Sequence, residues 1–222
     1  MVRPRVTRQA PGILEGMQPD DLAVNGRRSH RDAQASGRIA IIAAVGGLLL
    51  GGLNSLSNVL GSPYSPQSLN PGGGVFALEV LAAVLGTPGA WAITAFIAGF
   101  LTGKVWSGPL VGVATLLIAD LSYYLIDSTS GYAALSTDEV LYWAALAVPT
   151  GLVMGLLGAL ATQPHWWSIL PGLAAPATLA ALARSTGSGH IQPWPMQVTL
   201  AVAAALAVII LTTWSVRIRQ RH

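Results

Sequence analysis

PLVGVATLLIADLSYYLID, residues 109–127, decides the class of this chain. Its nineteen residues are apolar almost throughout, with one carboxylate, Asp120, set deep inside and a second, Asp127, at the end. A helix rises about 1.5 Å per residue, so the stretch is long enough to cross a hydrocarbon core of roughly 30 Å. Asp120 then falls within a turn of the bilayer midplane. An ionisable group there costs on the order of 2.5–3.5 kcal/mol on insertion scales, so it is expected to face protein or water. Asp127 is expected at the outer interface, where ionisation is cheap. The other apolar stretches read as the packing around this helix.

Composition supports the same class. The chain of 222 residues is 52% hydrophobic and only 9% charged, with a mean hydropathy of +0.56, whereas soluble domains carry about 25% charged residues. There is no cysteine, which excludes disulfides, thiolate chemistry and cysteine-based metal sites. The net charge of +3 does not point to nucleic acid. Arg3, Arg5, Arg8, Arg27, Arg28 and Arg31 lie in the N-terminal region and Arg217, Arg219 and Arg221 at the other end, outside the apolar spans. Basic residues so placed read as cytoplasmic topology signals.

Outward from residues 109–127, the pattern predicts an all-α, polytopic transmembrane bundle of six spans. Residues 1–37 are polar, lack a sustained apolar period and read as a disordered cytoplasmic tail. The membrane domain is expected over 38–216 and a short basic cytoplasmic tail over 217–222. In the first span, about 38–60, Gly47, Gly51, Asn54 or Ser55, and Asn58 recur at spacings of three and four and share one face. Gly47-x-x-x-Gly51 allows close helix approach, while Asn54 and Asn58 are amides that need partners in lipid. Residues 61–74 read as a loop. Residues 75–86 are apolar but too short for an ordinary span, which predicts a re-entrant or interfacial helix carrying Glu79 between spans one and two.

Thr87-Pro88 reads as the start of the second span, a hydroxyl cap followed by proline at the first helical position, with Lys104 and Trp106 beyond its far end. Asp120, Tyr124 and Asp127 share a face of span three. Ser136-x-x-Glu139 is a capping box opening span four, about 139–161. In that span Pro149 is expected to kink the helix, and Gly151-x-x-x-Gly155 with Gly158 to offer a second close-packing surface. Span five, about 166–183, begins at the aromatic anchor Trp166-Trp167 and is expected to be interrupted by both Pro171 and Pro176. Span six runs from about 197 to 215. The Lys/Arg bias then places both termini in the cytoplasm, with Arg184 as the exception, in a multi-pass plasma-membrane protein.

Chemistry is constrained mainly by what the spans lack. His30, His165, His190 and His222 all fall in tails or loops, so neither a serine–histidine pair nor a helical zinc-binding histidine pair can form within a span. An aspartyl intramembrane protease needs two facing deep carboxylates, and Asp120 has no deep partner. Nothing resembles a phosphate loop. The sequence therefore reads as that of a non-enzyme, with no catalytic residue, metal site or cofactor called for.

The stretches GGLNSLSN (51–58), TPGAWAITAFIAGFL (87–101), LLIADLSYYL (116–125) and LYWAALAVPTGLVMGLLGAL (141–160) resemble an actinobacterial family of small six-span membrane proteins catalogued as a domain of unknown function. The resemblance covers about residues 46–161. Its most distinctive elements are Trp91 with Ala98-Gly99, Tyr123-Tyr124, and Trp143 followed by Gly151, Gly155 and Gly158. It implies a six-span fold and an actinobacterial origin, and it carries over no activity. SGPLVGVATLLIADLSYYLI (107–126) is also similar to a Gly-Pro, Gly, Asp spacing in substrate-capture subunits of energy-coupling vitamin transporters. Ala40-x-x-x-Ala44 matches the small-residue docking motif of those subunits.

Two functional classes follow. One is small-solute binding or transport, or a transporter subunit, with Asp120, Tyr124, Asn54, Asn58 and Glu79 as candidate solute- or ion-binding residues. The alternative is a non-catalytic membrane scaffold or assembly subunit acting through Gly47, Gly51, Gly151 and Gly155. The partners implied are the lipid bilayer and either another membrane protein or a second copy of the chain, not nucleic acid.

Overall fold

The computed structural model describes residues 19–61, 77, 81, 84–131, 134–186 and 194–219, and among these it is entirely helical apart from caps and turns. The helices are α1 (Pro19–Gly61), α2 (Pro88–Thr102), α3 (Gly108–Thr129), α4 (Thr137–Ala161), α5 (Ile169–Thr186) and α6 (Trp194–Arg219), with a 3₁₀ turn at Trp166–Ser168 ahead of α5. The chain divides into two units, Met1–Arg38 and Ile39–His222. The described part of the first is helical from Pro19. The second is the helical bundle.

Among the described residues five stretches are long and apolar enough to cross a membrane: Ser36–Val59, Gly108–Thr129, Thr137–Ala161, Trp166–Arg184 and Gln197–Val216. The remaining expected span, the second (α2), is apolar but has 15 residues, a length of about 22 Å against a hydrocarbon core of roughly 30 Å. Glu79 and most of residues 75–86, with the loop before them, lie outside the described residues.

Local signals set the helix ends. Thr87 caps α2 by accepting from the Ala90 amide at 3.3 Å, with proline following in the first turn. Gly103 ends the same helix in the left-handed conformation, φ 63°, where a side chain would be strained. Ser136 caps α4, accepting from the Glu139 amide at 3.4 Å. One expectation needs correcting. Pro176 lies inside α5, but Pro171 is only its third residue, where an amide hydrogen would have no helical partner to lose. Only Pro176 interrupts the ladder.

Many small residues lie in the bundle interior, beside a few large ones such as Leu116 and Phe96, while many large apolar residues face outward. Ala43, Ala95, Ala98, Ala119, Ser55, Ser57 and Thr115 are buried, whereas Ile41, Leu110, Leu121, Leu125, Leu141 and Leu170 point outward. In water that arrangement would forfeit the hydrophobic gain of folding. In lipid it costs nothing, and small interior residues let helices pack closely.

Contacts between glycines and neighbouring backbones fix the helix directions. Gly47 lies against Thr115 and Ile118, and Gly51 against Ala119 and Ser122. Ser55 meets Asp127. Numbering therefore rises together along both helices, and α1 and α3 run parallel. Gly108 meets Ala159 and Gly155, and Gly112 meets Gly151, so α3 and α4 are antiparallel. The ends of α2 and α4 come together where Gln163 Nε2 donates to the Gly103 carbonyl at 3.5 Å. Gly172 near the start of α5 packs on Ile210 late in α6. Within the bundle α1, α2 and α4 all pack on α3.

Candidate functional site

The polar residues of the bundle interior collect where α1 meets α3. Gly51 permits this. A Cβ at that position would lie 2.8 Å from the Ala119 carbonyl carbon and closer still to its oxygen and to Ser122 Oγ. With no side chain there, the α1 backbone comes directly against α3. The residues one and two turns further along α1, from Asn54 to Asn58, are thereby brought beside the second half of α3.

Asp120 is buried, 2% exposed. It lies twelve residues into α3, about 18 Å from that helix's first residue, which is near mid-length. Its Oδ1 has no hydrogen-bond partner. Asn54 and Asn58, the α1 amides expected to need partners, do not supply one. Instead, Asn58 Nδ2 donates to the Tyr123 hydroxyl at 3.0 Å. Asn54 is buried with its own Oδ1 unpartnered, so that atom is an acceptor in need of a donor, as Asp120 Oδ1 is. Tyr124 is buried beside Tyr123, the two rings meeting edge to face at 5.2 Å.

Asp127 requires a correction. Expected to ionise cheaply at the outer interface, it is instead buried within the bundle, 4% exposed, and accepts a hydrogen bond from the Ser55 hydroxyl. The cause is the approach at Gly51: once the backbones touch there, the next turn of α1 covers the end of α3. Ser57, also buried, donates to the Asn54 carbonyl at 2.9 Å, and Thr115 to the Val111 carbonyl at 2.7 Å. Ser122 donates to the Ala119 carbonyl at 3.0 Å. Sequence reasoning named Asn54 or Ser55 as members of the α1 stripe but missed the Ser55–Asp127 pair. The available signal was the i, i+7 relation of Asp120 and Asp127, which puts both on one face.

The second close-packing surface is made by both partners. Gly151 and Gly155 lie against α3 at Val113, Gly112 and Gly108, where a Cβ on Gly151 would be 2.6 Å from Val113 Cα. Gly108-x-x-x-Gly112, the matching half on α3, has the same small-residue spacing and was legible in principle. Gly158 and Gly99 make the corresponding contact between α4 and α2.

Arg38, Lys104 and Arg184 are exposed, while Asp120, Asn54, Ser55 and Asp127 are buried. The interior polar group is thus rich in oxygen acceptors. Among the described residues no group of three or more His, Asp or Glu side chains could hold a metal ion.

Fold and interior together define a multi-pass integral membrane protein built of apolar helices. Searches against protein-family models, curated proteins and solved structures find no match.

Proposed function

We propose that this chain binds a small solute in the membrane interior at Asp120, either as a transporter or as the solute-binding subunit of one. The observation that carries the reading is the buried carboxylate near mid-length of α3 with one oxygen unpartnered. A polar group so placed is costly in lipid, and the commonest reason for keeping one is a ligand or ion pathway. In this reading six helices traverse the bilayer, both termini are cytoplasmic, and residues 75–86 are re-entrant or interfacial. The parallel course of α1 and α3 supports a return crossing by α2, and Lys104 then shares the inner side with the terminal arginines. The bilayer is the plasma membrane. The two sequence resemblances are compatible with a small membrane subunit of this kind.

The test compares Asp120→Asn and Asp120→Leu for membrane insertion, thermal stability and complementation of a deletion strain's growth phenotype. A binding role predicts that both variants insert and fold but fail to complement. Full complementation by Asp120→Leu would refute it, because leucine removes every polar contact.

A second reading is favoured by the glycine contacts. Gly47, Gly51, Gly151 and Gly155 bring backbones together over three helices, as expected of a scaffold or assembly subunit that acts through helix packing. Under it, Asp120→Leu leaves function intact and raises stability by removing a buried unsatisfied group.

A further inference from the structure

One face of α1 changes character along its length. The helix is continuous from Pro19 to Gly61, so its register carries from the polar end into the span. Arg27, Arg31, Arg38, Val45, Leu49 and Leu56 follow one another at spacings of four and seven residues and therefore lie along one face. Val45, Leu49 and Leu56 are exposed on it, whereas Ala43, Gly47, Leu50, Gly51 and Asn54, on the other side, are buried. Arg38 is exposed as well. The outward face of the span thus continues, before the span, as a face of arginines.

The same register keeps acids off this stretch of the face. Arg27, Arg31 and Arg38 have no Asp or Glu three or four residues away in either direction. Asp32 is turned about 120° from the stripe and is spaced to pair with Arg28 instead. Depth follows from the rise of the helix. The apolar span begins at Ser36, so Arg38 stands at its edge, Arg31 about 8 Å before it and Arg27 about 14 Å before it. The headgroup layer is about 5–8 Å thick on each side of the hydrocarbon, and the potential of anionic lipid extends about 8–10 Å further. Asp20 returns to the face only about 24 Å before Ser36, beyond that reach.

We propose that this stripe is a binding surface for anionic phospholipid, with Arg27, Arg31 and Arg38 on the phosphate groups of the leaflet from which α1 emerges. The inference is independent of the role of Asp120. Lipid is favoured over a soluble polyanion because the arginines continue an outward apolar face and stand in the headgroup field of the bilayer that holds the span, where the anchor keeps the local phosphate concentration high. Arginine suits the place: its guanidinium gives a phosphate two parallel donors, and its apolar stem tolerates the hydrocarbon edge.

The test equilibrates the purified full-length protein in dodecyl maltoside with equal amounts of phosphatidylglycerol and phosphatidylcholine, captures it, and quantifies the retained lipids by mass spectrometry. Each arginine near an anionic surface is worth about a fivefold preference, so the wild-type protein should retain phosphatidylglycerol at least about tenfold over phosphatidylcholine at low salt. The preference should fall towards unity as ammonium acetate is raised to about 0.5 M. Arg27→Gln, Arg31→Gln and Arg38→Gln together should abolish most of it, and the three lysine replacements, which keep the charge, should retain it. Arg3→Gln, Arg5→Gln and Arg8→Gln, an equal loss of charge outside the stripe, should leave it in place. If the triple glutamine variant does not insert, the single substitutions take its place, each expected to lower the preference about fivefold. No preference in the wild-type protein, a preference indifferent to salt, one that the stripe variants retain, or one that the Arg3, Arg5 and Arg8 variant loses equally overturns the proposal. A short RNA that binds through the stripe while phosphatidylglycerol is not preferred would assign the face to nucleic acid and overturn it too.

Discussion

Substituting Gly51 with alanine tests the contact on which the interior arrangement depends. The added Cβ would lie 2.8 Å from the Ala119 carbonyl carbon and nearer to the carbonyl oxygen, and a backbone carbonyl cannot rotate away as a flexible side chain can. Reaching an ordinary separation requires α1 and α3 to part by about 1 Å, a gap that forfeits a quarter to a half of the dispersion attraction along the seam. Overpacking of this kind costs about 1–3 kcal/mol, while replacing glycine by alanine within a helix returns up to about 1 kcal/mol. The neighbouring Gly52 is the internal control. A Cβ there would meet only Ile126 Cδ1 at 3.5 Å, an ordinary contact. Gly51→Ala should therefore lower stability by about 1–2 kcal/mol, and Gly52→Ala should leave it unchanged or raise it by up to about 1 kcal/mol. Reversible unfolding by steric trapping in bicelles measures both on one scale. Equal stability of the two variants, or a Gly51→Ala protein as stable as wild type, would refute the close approach of α1 to α3.

Two further outcomes follow from the same geometry. Ser55→Ala removes the donor to buried Asp127 and should destabilise by about 1–3 kcal/mol; Ser57→Ala, which loses only a bond to its own helix at Asn54, should cost clearly less, and equal costs in the same unfolding assay would count against the Ser55–Asp127 pair. A reporter fused after His222 should lie on the cytoplasmic side and one inserted near Gly131 on the opposite side, and detection of both on one side would overturn the six-traverse reading.

Much of the bundle was legible because a bilayer simplifies the reading. With no water to satisfy backbone groups, apolar stretches of about 20 residues must be helices, and residues 109–127 and the stretch after Ser136 met that test directly. Helix ends were legible where one side chain sets them, as at Thr87 and Ser136. Gly47, Gly51, Gly151 and Gly155 stood out because small residues four apart share a face. Pro171 was misread because its effect depends on whether the helix has completed its first turn, which composition does not reveal. Glu79 and most of residues 75–86 lie outside the described residues, so the expected re-entrant helix stays with the sequence reading. Asp127 was expected to ionise cheaply at the outer interface because only its own helix was considered, whereas its burial is produced by a neighbouring one.

By itself the sequence determined the solvent this protein folds in, the helical character of its long apolar stretches and the face on which each small residue lies. Those follow from local length, composition and period. The tertiary structure decided what each face meets: that Gly51 abuts Ala119, that Asn58 reaches Tyr123 and Ser55 reaches Asp127, and that an oxygen of Asp120 and one of Asn54 are left without donors. The reason is geometric. Helical period fixes the direction of a side chain around its own axis, but the hydrogen bonds it makes depend on the rotation and depth of a second helix, which are set only when the backbones come into contact.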